Sequence, residues 1–292
     1  MPQPLRVLCE RVHPNFVMAS EEQRAERVGP TLWVFLCLSA ALSWMVWLWP
    51  TPQGSVYLVV LGQRVDWPIV NLKLVIGNCL PGLLALVWVS VQGKQQLREM
   101  LSSLFAWRAQ LRWYILSIAL PCSVFTTSLC VVLISFPAKH PWPPVSVFFT
   151  SLLSLPFGPL WEEIAWRAFA LRKLQSRYSR LAAALMIGVY WAVWHIPLWL
   201  VTLNYLTYTL LLIMCVNLVA WSVIFAFLYN RSAQSLPVVI LLHGTYMAAQ
   251  NQVFATYGNI HLIPISAALS VCLAAILARR LYTDVEVAGG AD

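Results

Sequence analysis

Long apolar runs separated by short polar stretches dominate this chain. They fall at 31–50, 69–92, 113–136, 145–171, 181–202, 208–229, 236–253 and 260–280. A run of this kind crosses a hydrocarbon layer of about 30 Å as a helix, which satisfies its own backbone hydrogen bonds there. The expected fold class is therefore all-α, a polytopic membrane helix bundle of about eight transmembrane helices. The second run is the least uniform, because it holds Asn71, Lys73 and Asn78. Between runs two and three, "QQLREMLSSLFAWRAQLRW" sets Leu97, Met100, Leu101, Leu104 and Phe105 at i, i+3, i+4 spacing opposite Arg98, Glu99, Ser102 and Ser103. That pattern predicts one interfacial amphipathic helix.

Composition agrees with the pattern. Of 292 residues, 60% are hydrophobic and 10% charged, with 15 Trp, far from the usage of a soluble domain. The net charge of +8 does not point to nucleic acid, since most Lys and Arg sit in short loops beside apolar runs, where they orient a membrane protein. Lys plus Arg number four in 1–30, one in 51–68, four in 93–112, one in 137–144, four in 172–180, none in 203–207, one in 230–235, none in 254–259 and two after 278. The alternation fits eight spans with both termini cytoplasmic. The expected organisation is a cytoplasmic arm over 1–30, a membrane domain over 31–280 with its motif core at 145–253, and a cytoplasmic tail over 281–292. The first 30 residues hold no apolar stretch with a cleavage site, so no removable signal peptide is expected. Seven cysteines show no metal-ligand spacing and read as small core residues.

Ionisable side chains inside spans are costly and mark a paired or functional interior. Here they are Lys73, Glu162, Glu163, Arg167, His195 and His243. Lys73 lies near a span end and can snorkel. Glu163 and Arg167, at i and i+4 on one helix, are expected to form a structural salt bridge. Glu162 is rotated by about 100° from Glu163, so the same arginine cannot serve both. One carboxylate builds and the other is left to react. At about 1.5 Å per residue, Glu162 lies ~14 Å, His195 ~21 Å and His243 ~11 Å from the cytoplasmic ends of their spans, so the three are expected to converge in one cavity. His13, His140 and His261, in the arm or at span ends, are expected to have no part in it.

The strings "EEIAWR", "WAVWH" and "LLHGTYM" resemble the CPBP family of intramembrane proteases, which includes the type II CAAX prenyl endopeptidases and bacteriocin self-immunity proteins. Its pattern is EExxxR on one span, an aromatic-xxx-His on the next and HxxxN near the end. Glu162, Glu163 and Arg167 match the first part, Trp191 and His195 the second, and His243 the third. The resemblance runs from "NCLPGLLALVWVSVQGKQQL" to "FLYNRSAQSLPVVILLHG", well over half of the chain. One position departs from the pattern: the expected Asn is Met247, for which Tyr246, Gln250, Asn251 or Asn217 are the candidate stand-ins.

The resemblance implies an intramembrane endopeptidase acting on a membrane-associated or lipidated protein. Catalytic roles fall to Glu162, His195 and His243, and supporting roles to Glu163, Arg167, Trp191 and Met247. Glu162, oriented with His195, would activate a water, and His243 would donate to the oxyanion. No cofactor is favoured. The alternative is Zn²⁺ on Glu162, His195 and His243, although the chain has no HExxH. Two other readings stay open: an impaired membrane immunity or scaffold protein of the same fold, signalled by Met247, and a transporter, disfavoured by the lack of an inverted repeat.

Overall fold

The helices follow the apolar runs, and proline, glycine and capping side chains set where they stop. The computed structural model describes residues 14–50, 55–60, 63–135, 145–203, 206–257 and 261–289. In order, α1 is Pro14–Leu48, β1 Ser55–Val60, β2 Gln63–Pro68, α2 Ile69–Gln92, α3 Lys94–Leu104, α4 Leu111–Ser135 and α5 Val145–Leu152. A 3₁₀ turn at Leu155–Phe157 leads into α6 Pro159–Glu163, which continues as a π-helix over Ile164–Leu171 and as α7 Arg172–Gln175. Then come α8 Arg180–Thr202, α9 Tyr208–Arg231, α10 Leu236–Tyr257 and α11 Leu262–Gly289. Ser179 and Thr207 cap α8 and α9, their hydroxyls accepting from Ala182 N and Leu210 N at 3.2 Å each, as N-cap residues do for orphan N–H groups.

Among the described residues, six helical stretches are long and apolar enough to cross a membrane: Thr31–Leu48, Leu72–Gln92, Leu111–Ser135, Arg180–Thr202, Tyr208–Arg231 and Leu262–Leu281. The chain is a multi-pass integral membrane protein. The count differs from the expected eight at two places, for two physical reasons. The run 145–171 is not one helix, because Pro156, Gly158 and Pro159 interrupt it. Proline lacks the N–H a helix interior needs, and at N1, where Pro159 stands, it starts a new helix. The run 236–253 does form a helix of 22 residues, α10, but His243, Gln250, Asn251 and Gln252 dilute its apolar character.

Three smaller differences follow. A two-stranded antiparallel hairpin pairs Ser55 with Pro68 and Val60 with Gln63 where only a loop was expected. The amphipathic helix α3 ends at Leu104, so Phe105 is its C-cap and stands exposed, while Met100 and Ser103 face inward. Helix α1 runs unbroken from the expected arm into the first span, and α11 runs from the last span into the expected tail. His13, His140 and Cys9 lie outside the described residues. The described cysteines are free, and Lys73 reaches the Trp49 carbonyl at 3.0 Å, near the end of α1.

The core is built around α9, which packs on α8 and α11, while α10 packs on α4 and α5 and α1 on α2. All eight residues of the π-helix are buried, Arg167 included.

Candidate functional site

The interruption before Pro159 positions the two glutamates. Because the helix restarts there, Glu162 N bonds the Gly158 carbonyl at 3.0 Å, and the carboxylates of Glu162 and Glu163 leave the first turn in different directions. Both are buried, at 3% and 0% exposure. Burial of this degree demands partners for each, and the two have different ones.

Glu163 Oε1 accepts from Arg167 Nη1 at 3.0 Å and from His243 Nδ1 at 2.8 Å. The expected salt bridge is present, but Glu163 also holds His243 from α10, which the i, i+4 argument did not foresee. Arg167, 1% exposed, is further enclosed by aromatic faces, its guanidinium carbon 4.8 Å from the Trp191 ring centroid and 4.3 Å from that of Phe225. Cation–π attraction offsets part of the cost of burying that charge. The π-helical backbone from Ile164 places Arg167 in this slot, and local widening of this type recurs at functional positions.

Glu162 turns the other way. Its Oε2 accepts from the indole Nε1 of Trp191 on α8 at 2.8 Å. Its orienting partner is therefore this tryptophan, whereas the sequence suggested His195. His195, one turn on, places Nδ1 2.9 Å from the Trp191 carbonyl. A carbonyl only accepts, so Nδ1 carries the proton and Nε2 keeps its lone pair. The His195 ring stacks on Trp199, with centroids 5.4 Å apart, and stands edge-on to Trp194 at 4.7 Å. In His243 likewise Nδ1 is committed, to Glu163, and Nε2 is left over.

These residues meet at one cavity of about 190 Å³. Glu162, Trp191, His195, His243 and Met247 all line it, and so do Asn78, Asn217, Tyr246 and Gln250. Glu163 and Arg167 stand behind this wall, supporting His243. Of the stand-ins for the amide that Met247 lacks, Asn217 and Tyr246 are both buried at the cavity and paired, Nδ2 to Oη at 3.4 Å. Gln250 lines it as well. Asn251 does not: it is exposed and bonds Ser151 at 3.2 Å. Sequence reasoning noticed Asn78 only as a blemish in a span. The signal that could have singled it out is Gly82, four residues on and so on the same helix face.

Zinc was the alternative cofactor. Among the described residues no three His, Cys, Asp or Glu side chains stand where they could hold a metal ion, so Glu162, His195 and His243 do not form that site in this arrangement.

Comparison with known proteins agrees with the motifs. Residues 143–249 match the family model described as type II CAAX prenyl endopeptidase Rce1-like. A stretch of 61 residues is 43% identical to CAAX prenyl protease 2 of Methanococcus maripaludis, covering 21% of each chain. The aligned stretch thus spans about a fifth of that relative. The matched family region contains Glu162, Glu163, Arg167, Trp191, His195 and His243. Residues 143–249 accordingly carry a domain of the Rce1-like type II CAAX prenyl endopeptidase family.

Proposed function

We propose that this chain is an intramembrane endopeptidase in which Glu162 activates a water to hydrolyse a peptide bond of a membrane-associated or lipidated protein. The observation that carries the reading is the division of labour between adjacent carboxylates. Glu163 gives one oxygen to both Arg167 and His243, keeps the other buried and does not reach the cavity, whereas Glu162 has one oxygen on Trp191 and borders the cavity.

Glu162 takes one proton from water as the water oxygen bonds to the substrate carbonyl carbon. His195, neutral with its Nε2 lone pair, accepts the second water hydrogen and orients the nucleophile. His243, when protonated on Nε2, donates to the oxyanion, a contribution of about 3 kcal/mol for one well-placed donor. The carbon–nitrogen bond then breaks, and the proton held by Glu162 leaves on the amine. No covalent enzyme intermediate is involved. Glu163, Arg167 and Trp191 keep these groups in place, and Met247 leaves part of the oxyanion wall without an amide. The positive-inside pattern supports cytoplasmic termini, with the site in the cytoplasmic half of the membrane.

The test is proteolysis of a membrane-anchored peptide library by the purified protein, wild type against Glu162→Ala, with and without chelator. Cleavage lost in Glu162→Ala and unaffected by chelator is the expected result. Equal cleavage by both proteins, or none by a folded wild type across a broad panel, would remove the protease reading.

A further inference from the structure

Asn78 is the cavity-lining amide that the reading above leaves without a role. Its position is set by close approach of two backbones. At Gly82, a Cβ would stand 2.5 Å from the Trp161 carbonyl oxygen and 2.8 Å from its Cα. Helix α2 can therefore lie directly on α6 only because residue 82 has no side chain. Asn78 is one turn back on that face, and the contact brings it beside Gly158, the residue whose carbonyl starts the helix of Glu162. Cys79 Sγ, reaching the Phe157 carbonyl at 3.5 Å, ties the same junction.

Gly158 leaves a gap there. Outside Gly158 and its chain neighbours, the atoms nearest to the point where its Cβ would be are Asn78 Nδ2 at 3.5 Å and Glu162 Oε1 at 3.8 Å. Amide and carboxylate thus flank the same part of the cavity wall, and Gly158 keeps it clear by adding no side chain there. Two further facts bear on it. Glu162 Oε1 is the oxygen not engaged by Trp191, and Asn78 Oδ1 is buried with no protein partner. A buried amide left unsatisfied by its own fold costs about 1–3 kcal/mol, so packing alone does not account for an asparagine here.

We propose that Asn78 and Glu162 together hold the hydrolytic water at Gly158. Asn78 Nδ2 donates to the water oxygen, the water donates one hydrogen to Glu162 Oε1 and the other across the cavity to His195 Nε2, and the remaining lone pair faces the substrate carbonyl. The proton moves to Glu162 as the new carbon–oxygen bond forms, so the chemistry of the proposed function is unchanged and needs no further reactant. The catalytic part of this proposal rests on the protease reading. The water site itself does not.

Two variants test it on the full chain in lipid nanodiscs. Asn78→Leu keeps the shape of the side chain and removes its donor. Gly158→Ala leaves Asn78 intact and places a methyl in the gap, at ordinary contact distances. A structure of the wild type at a resolution that shows water should have one ordered water between Asn78 and Glu162, and Gly158→Ala should expel it. Both variants should lower kcat by about ten- to hundredfold with KM within about twofold of wild type, the signature of an interaction made in the transition state. No water in the wild-type gap, or wild-type kcat in both variants, would overturn the proposal. A wild type that cleaves nothing, yet holds a water that Gly158→Ala displaces, would remove the protease reading and support the water site.

Discussion

The broken segment 145–175 and the continuous span α9 show two ways of being buried. Helix α9 is uninterrupted over its 24 residues and is buried along its second half, Trp221, Ile224, Phe225 and Leu228 being fully covered. Its one cavity-facing polar side chain, Asn217, is met by Tyr246. The segment 145–175 passes through α-, 3₁₀- and π-helical turns and buries two carboxylates and a guanidinium. Regular helix hides backbone polarity at no cost in shape, but it presents side chains at one fixed angle. Restarting the helix at Pro159 and widening it after Glu163 gives neighbouring side chains independent directions. The buried carboxylates and guanidinium stand where the helix is irregular, and the irregularity is held by the regular spans around it.

That comparison breaks most sharply at Arg167. Arg167→Ala leaves Glu163 buried with only His243 to answer it. Removing one partner of a buried pair costs about 3–5 kcal/mol, so the melting temperature in detergent and the folded yield should fall together. A variant that melts like wild type would show that the pair is not what supports the segment.

Glu162→Gln attacks the same turn without the structural cost, since the amide oxygen can still accept from Trp191. Cleavage should drop by about a hundred- to ten-thousandfold, the range for losing a general base, with the melting temperature nearly unchanged. Turnover assays beside thermal unfolding separate the two glutamates. If Glu162→Gln unfolds the protein and retains specific activity, their roles are reversed.

Gly82→Ala probes the seam between regular and irregular helix. Its methyl meets the Trp161 backbone, which cannot swing away as a side chain would, and an overpacked contact of this kind costs about 1–3 kcal/mol. Lower stability together with reduced kcat is expected, because the shift moves Asn78 away from Glu162.

Met247→Asn is the mildest change. Position 247 is half-buried on the cavity wall beside Asn217 and Tyr246, so an amide there finds partners and should alter stability by less than about 1 kcal/mol. Cleavage should rise, measured as kcat on the same substrate. No gain in an otherwise active protein would mean that Asn217 and Tyr246 already fill the role.

Much of this was legible in the chain itself. Apolar run length was enough to identify a multi-pass helical membrane protein, because the bilayer sets a length scale that sequence can be measured against. The pairing of Glu163 with Arg167 follows from helical spacing, and the three short motifs, taken in order, identified the family region. The same evidence misjudged 145–171 as a single span, because window-averaged apolarity is insensitive to the Pro156–Gly158–Pro159 break inside it.

What the sequence determined is whatever depends on neighbours along the chain: the spans, the amphipathic helix α3, the Glu163–Arg167 pair and the set of polar side chains too costly to bury without cause. The tertiary structure alone decided which of those side chains meet. His243 went to Glu163, Trp191 to Glu162, and Asn78 came to the cavity because Gly82 lets two backbones touch. Such pairings depend on the relative rotation and approach of separate helices, set by packing over many side chains at once, and no local spacing encodes that.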